Sequence, residues 1–235
     1  MLVLFLLFPL YSYSAVDKEI IESDKCSRII PYFEQKYQIP RNTLYSIALK
    51  ESGKKHSKHK IAVIWPWTVN VEGTGYFFNT KKEAILFVKR QIIMAKESID
   101  VGCMQINLKH HLGAFDSLNQ AFDPKYNVEY GAKFLKAKYE QLGSWHKAIA
   151  HYHSANNELG FKYRQGVVKI ANNIHSYKNS LSKYSSQNYY NEVDILPQNQ
   201  TIVAISTDKK NTSSFNKNIK KYQSNLMVVI PRNHH

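Results

Sequence analysis

Apolar residues recur at helical spacing through most of the middle of the chain. Ile29, Ile30, Phe33 and Tyr37 predict a helix across 26–37. Ile39-Pro40-Arg41-Asn42 stops it and starts the next. In that second helix Leu44, Ile47 and Ala48 share one face with Glu51, and Ser52-Gly53 ends it. Residues 61–80 break the period: Val69 and Val71, then Tyr76, Phe77 and Phe78, flank Glu72-Gly73-Thr74-Gly75, which predicts a β-hairpin. A helix over 82–94 follows, with Ala84, Phe87, Val88 and Ile92 inward, and Ser98–Asn107 reads as a turn running into a short element. Asp123-Pro124 supplies an N-cap and a first helical residue in the right order. The face of that helix is Val128, Gly131, Ala132, Leu135 and Tyr139, and Gly143 closes it. Ser144 caps a helix with Trp145, Ala148, Ile149 and Tyr152 on one face, and a last one carries Tyr163, Val167, Ile170 and Ile174. The pattern predicts a mainly α domain over 24–177 with a small β-hairpin insertion.

The two ends differ from this middle. Leu2–Leu10 is wholly apolar and Tyr11-Ser12-Tyr13-Ser14-Ala15 follows. A run of that length is too short for a bilayer, which needs roughly 20 residues. It suits a secretory signal or short N-terminal anchor over 1–15. After Tyr177 the composition turns to Asn, Ser, Gln, Lys and Tyr, so 178–235 reads as a basic, largely disordered tail with apolar islands at 201–205 and 226–230.

Charge narrows the partners. The 235 residues hold 32 Lys and Arg against 18 Asp and Glu, a formal +14. Of the basic residues 27 are Lys and 5 Arg, whereas nucleic-acid readers lean on the planar Arg fork. A Lys-rich surface fits an anionic polymer in general, including a cell wall. Two cysteines exclude a disulfide-dense scaffold and a four-Cys zinc site. Cys26 and Cys103 are either bridged, which export permits, or two buried thiols. The His56/His59, His110/His111 and His151/His153 pairs lack Cys partners and a His-Glu-x-x-His helix, so they read as solvated surface residues and no metal or cofactor is expected.

Glu51 is the candidate for chemistry. A carboxylate on a core-facing stripe, in the last turn of its helix, meets both desolvation and the negative end of the helix dipole. Both raise its pKa, which is what a general acid needs near neutral pH. The plainer alternative is a side chain reaching past the helix end toward Lys54-Lys55-His56. Trp65-Pro66-Trp67 places two rings on a rigid kink, able to stack on sugars or to pack in a core. Asp100 is the nearest other acid and reads as a turn or cap residue.

The order Glu51-Ser52-Gly53, Gly102-Cys103-Met104-Gln105-Ile106-Asn107, Asn127 before Gly131-Ala132-x-x-Leu135, then Ala150-His151-Tyr152-His153-Ser154-Ala155 resembles the SLT family of bacterial lytic transglycosylases, in a periplasmic proteobacterial subgroup. The resemblance implies a goose-type lysozyme-like fold. It also implies cleavage of the MurNAc-(β1,4)-GlcNAc bond of peptidoglycan without water, leaving 1,6-anhydro-MurNAc ends. Glu51 maps to the single acid/base, and Ser52, Gly102, Met104, Gln105, Asn107, Asn127 and Tyr152 to the glycan-contacting set. Tyr152 maps to the tyrosine that hydrogen-bonds the acid. Three departures stand out: Cys103 where the family has Leu, Asn107-Leu108 where it has Met-Pro, and His153 where it has Asn. The partners implied are peptidoglycan glycan strands and an envelope-spanning secretion machine, in the periplasm, with no nucleic acid. Two alternatives remain: a hydrolytic muramidase on the same fold, or a non-catalytic basic wall-binding module.

Overall fold

The computed structural model describes residues 17–184, so the N-terminal segment 1–15 and most of the tail, with its two apolar islands, lie outside the described residues. The elements run α1 (Lys18–Ser27), α2 (Ile30–Lys36), α3 (Thr43–Ser52), β1 (Gly53–Lys55), β2 (Ala62–Ile64), β3 (Thr68–Val71), β4 (Thr74–Phe77) and α4 (Lys81–Ile93). They continue as β5 (Ile99–Val101), β6 (Ile106–Asn107), α5 (Leu118–Ala121), α6 (Pro124–Leu142), α7 (Trp145–His153), α8 (Asn157–Asn172) and α9 (Ile174–Ser182). Helical structure extends beyond 24–177 at both ends, α1 beginning at Lys18 behind its Asp17 cap and α9 running to Ser182.

The fold is mainly helical and lysozyme-like, with small sheets. At its centre is α3, whose Leu44, Tyr45, Ser46, Ile47, Ala48, Leu49 and Ser52 are buried on several sides. A helix surrounded in this way takes its position from tertiary packing rather than from an amphipathic stripe. It packs against α8, α2 and β2. Its N-terminus is held by Glu34 of α2, whose carboxylate accepts the backbone N–H groups of Asn42, Leu44 and Tyr45 at 2.9, 2.8 and 3.3 Å. Asn42, at the N-cap position, makes no side-chain cap bond. A carboxylate from another helix thus satisfies the orphan donors of α3, at a helix end where negative charge is favourable.

The hairpin forms where the pattern placed it. Strands β3 and β4 pair antiparallel through Val71↔Thr74, leaving Glu72 and Gly73 as a two-residue turn. Both have positive φ, 50° and 90°, which is the type I′ geometry that matches strand twist. The segment 98–107, read as a turn running into a short element, is two strands joined by a turn at 102–105, and β5 and β6 extend the hairpin into a sheet of order β4-β3-β5-β6. Asp100 is therefore a strand residue, opposite Asn70 and Asn107, and not a turn or cap. Trp65 and Trp67 are 3% and 5% exposed. Their indole N–H groups donate to the Phe78 carbonyl and the Glu22 carboxylate, so both rings pack in the core and are not presented to a sugar.

Candidate active site

The loop between β5 and β6 carries Gly102-Cys103-Met104-Gln105 and is tied down from four helices. Cys103 forms a disulfide with Cys26 of α1, which settles the two thiols as a bridge. From α3, the Ser52 hydroxyl lies 2.8 Å from the Cys103 carbonyl. From α6, Asn127 accepts the Met104 N–H at 2.8 Å and donates to the Val101 and Ala121 carbonyls at 2.9 Å each. From α7, the Tyr152 hydroxyl donates to the Met104 carbonyl at 3.0 Å. Gly102 sits at φ +80°, and a Cβ there would lie 2.4 Å from the Asn127 amide. Only glycine combines that backbone with that approach.

Several residues mapped as glycan contacts are thereby placed elsewhere. Ser52, Met104 and Asn127 are each 0% exposed. Gly102 is buried as well. A group without exposed surface, with its hydrogen bonds filled by protein, builds the loop and does not reach a sugar. Asn107 is partly exposed, and its amide is spent on Asp100 at 2.7 Å, Ser98 and the N–H groups of Lys109 and His110. Gln105 remains at the surface of this group, held at φ 47° with its amide N–H on the Thr68 and Gly102 carbonyls.

Glu51 is where the helical period placed it, in the last turn of α3. Its hydrogen-bond partner is not Tyr152 but Tyr163 of α8, whose hydroxyl donates to Oε1 at 2.5 Å. Tyr152, the tyrosine the resemblance sets on this carboxyl, faces the same site yet spends its hydroxyl on Met104. Burial pushes the Glu51 carboxyl up from the usual 4.5 to about 7. The Tyr163 bond and Lys50 pull it down and the Asp100 charge adds to the rise. Glu51 keeps a partly exposed surface. Burial likewise raises Asp100, against its bond from Asn107. Burial and the Glu51 charge hold Tyr163 well above the ordinary tyrosine value, so it stays a neutral donor. The arrangement is one protonatable carboxyl, a fixed hydroxyl donor, and a second carboxylate within electrostatic range.

One cluster elsewhere has the geometry to hold a metal ion: ligand atoms of Asp17, His56 and His59 lie within 4.8 Å of one another. His56 is 2% exposed, contrary to a solvated surface histidine. Its Nδ1 accepts the N–H groups of Lys58 and His59, which leaves the ring proton on Nε2, 3.2 Å from Asp17 Oδ1. So arranged, the imidazole is a donor to Asp17 rather than a free ligand.

No curated protein and no solved structure was found to match the chain. Residues 28–174, more than half of it, match the family described as transglycosylase SLT domain. That span runs from the end of α1 to the start of α9 and includes Glu51, the pinned loop and Tyr163, and the chain belongs to this family.

Proposed function

We propose that the protein is a peptidoglycan lytic transglycosylase in which Glu51 is the single acid/base. The observation that carries this is a carboxyl held protonated to about pH 7 by burial, with Tyr163 fixed on one oxygen, in a chain of this family. The protonated Glu51 gives its proton to the glycosidic oxygen as the bond to the MurNAc C1 breaks. Tyr163 then stabilises the carboxylate that this leaves. The N-acetyl carbonyl oxygen attacks C1, and the C6 hydroxyl oxygen displaces it. Glu51 takes the C6 hydroxyl proton back, so one 1,6-anhydro end forms, no water is consumed and the acid is restored. The Cys26–Cys103 bridge supports an oxidising compartment, hence export to the periplasm, with glycan strands as substrate and an envelope-spanning secretion machine as the partner that local wall opening would serve.

A second reading is favoured by Asp100. Its carboxyl is close enough to raise that of Glu51, and a second carboxylate is what a hydrolytic muramidase needs. Mass spectrometry of fragments released from purified sacculi separates the two. Anhydro ends are expected; water-derived reducing ends would transfer the assignment to the muramidase, and no release at all would remove the enzyme.

The pH profile gives an independent check. A general acid must start protonated, so kcat/KM is expected to fall as pH rises above about 7. Tyr163→Phe removes a bond that favours the ionised form. The alkaline limb then moves to higher pH, while the maximal rate drops about 10- to 100-fold, the value of a charge-assisted hydrogen bond. A limb that stays in place would mean that Glu51 is not the group being titrated.

A further inference from the structure

We propose that His153 is a positioning residue that holds Tyr163 on Glu51 by ring stacking, and that turnover requires its imidazole to be neutral. This rests on the reading of Glu51 as the acid. His153 ends α7, and its ring lies flat on that of Tyr163, with centroids 4.7 Å apart and planes 7° from parallel. The residue as a whole is exposed. Tyr163 supplies the direct hydrogen bond to Glu51, so a flat contact on its ring restricts the tilt that would carry the hydroxyl off Oε1. An asparagine, which the resemblance places here, covers less of the ring and cannot titrate.

The charge state matters because of what surrounds the ring. Lys50 acts on it from α3 and Asp100 from β5, Tyr163 stacks on it from α8, and His110 acts in turn on Asp100. Burial and Lys50 favour the neutral imidazole and Asp100 opposes them, leaving the ring below the ordinary histidine value. Bond breaking builds positive charge on the sugar ring. An imidazolium beside Tyr163 would oppose that charge, and it would draw Glu51 toward its ionised form, the wrong one for an acid. Both effects slow turnover as His153 takes up a proton, which gives an acid limb distinct from the alkaline limb of Glu51.

The test compares wild type, His153→Ala and His153→Phe in the full chain, by kcat/KM against pH and by carbon-detected NMR titration of Glu51, with thermal unfolding as the control for folding. His153→Ala is expected to lower the maximal rate by up to about 10-fold, the scale of an aromatic pair. As the Tyr163 bond loosens, it should also move the Glu51 midpoint up by about half a pH unit. His153→Phe restores the stack without a titrating group. It should recover rate relative to His153→Ala and show no acid limb, where wild type falls about tenfold per pH unit below the histidine pKa. An acid limb that persists in His153→Phe belongs to Asp100 and overturns the charge requirement. A Glu51 midpoint unmoved in His153→Ala overturns the positioning role, and it does so without reference to turnover. Turnover that survives Glu51→Gln instead sinks the reading of the acid itself.

Discussion

Glu51→Gln is expected to reduce release of glycan fragments about 10²- to 10⁴-fold while making the folded protein more stable at alkaline pH. The two effects have one cause. The carboxyl is pushed from 4.5 to about 7 because burial strips water from its charged form. For an acid whose folded-state pKa is raised, the unfolded chain ionises first, so stability is lost progressively as pH climbs from about 4.5 through about 7. A shift of that size corresponds to about 3 kcal/mol, and the partial exposure of Glu51 makes it an upper bound. Glutamine keeps the shape and can accept the Tyr163 hydrogen bond without ionising. Thermal unfolding at pH 8 should therefore rise in the variant by the equivalent of about 1–3 kcal/mol, with little change at pH 4. A variant that is inactive and gains nothing at pH 8 would show that Glu51 is not desolvated. Its role as an acid tuned by burial would then fail even though the residue matters.

Much of the scaffold around Glu51 is legible from local pattern. The stripe Leu44, Ile47, Ala48, Glu51 gives the helix and puts the carboxyl inward. Asp123-Pro124 and Gly143 bracket α6 as cap and terminator, the glycine at φ 65°. Glu72-Gly73 fixes the hairpin. These signals are local because backbone hydrogen bonding and side-chain period are local. What the pattern cannot rank is which of several inward polar groups meet. Tyr152 and Tyr163 both point to the core on neighbouring helices, and only the packing of α8 on α3 decides that Tyr163, 112 residues from Glu51, takes the carboxylate. Glu34 is hidden for the same reason. Its spacing in α2 reads as an ordinary helix residue, yet its carboxylate fastens the start of the helix that carries Glu51 in its last turn. Ser52, Met104 and Asn127 carry the motif's wording, and the structure explains it as the scaffold of a loop. Motif residues near a site can thus be needed for chemistry without touching the substrate.

Replacing the bridge by Cys26→Ala with Cys103→Leu is expected to destabilise the fold by about 4 kcal/mol, a Tm loss on the order of 10 °C. The bridge closes a long loop, with 77 residues separating its ends, and the entropy removed from the unfolded chain grows with loop length. Both half-cystines are buried, Cys26 at 0% and Cys103 at 1%, so apolar replacements avoid adding an unpaired hydroxyl to the core. Leu is also the residue the SLT resemblance places at the loop position. The loop between β5 and β6 should survive the change, because Ser52, Asn127 and Tyr152 still hold its backbone from three helices. The expected result is therefore a low unfolding temperature with most of the rate kept at 25 °C, the opposite of Glu51→Gln. Calorimetry and turnover measured on the same sample check it. If rate collapses while the unfolding temperature holds, the bridge is acting on the geometry of Gly102–Gln105 and not on the unfolded chain. The three hydrogen bonds to that loop would then be insufficient to set it without the link to α1.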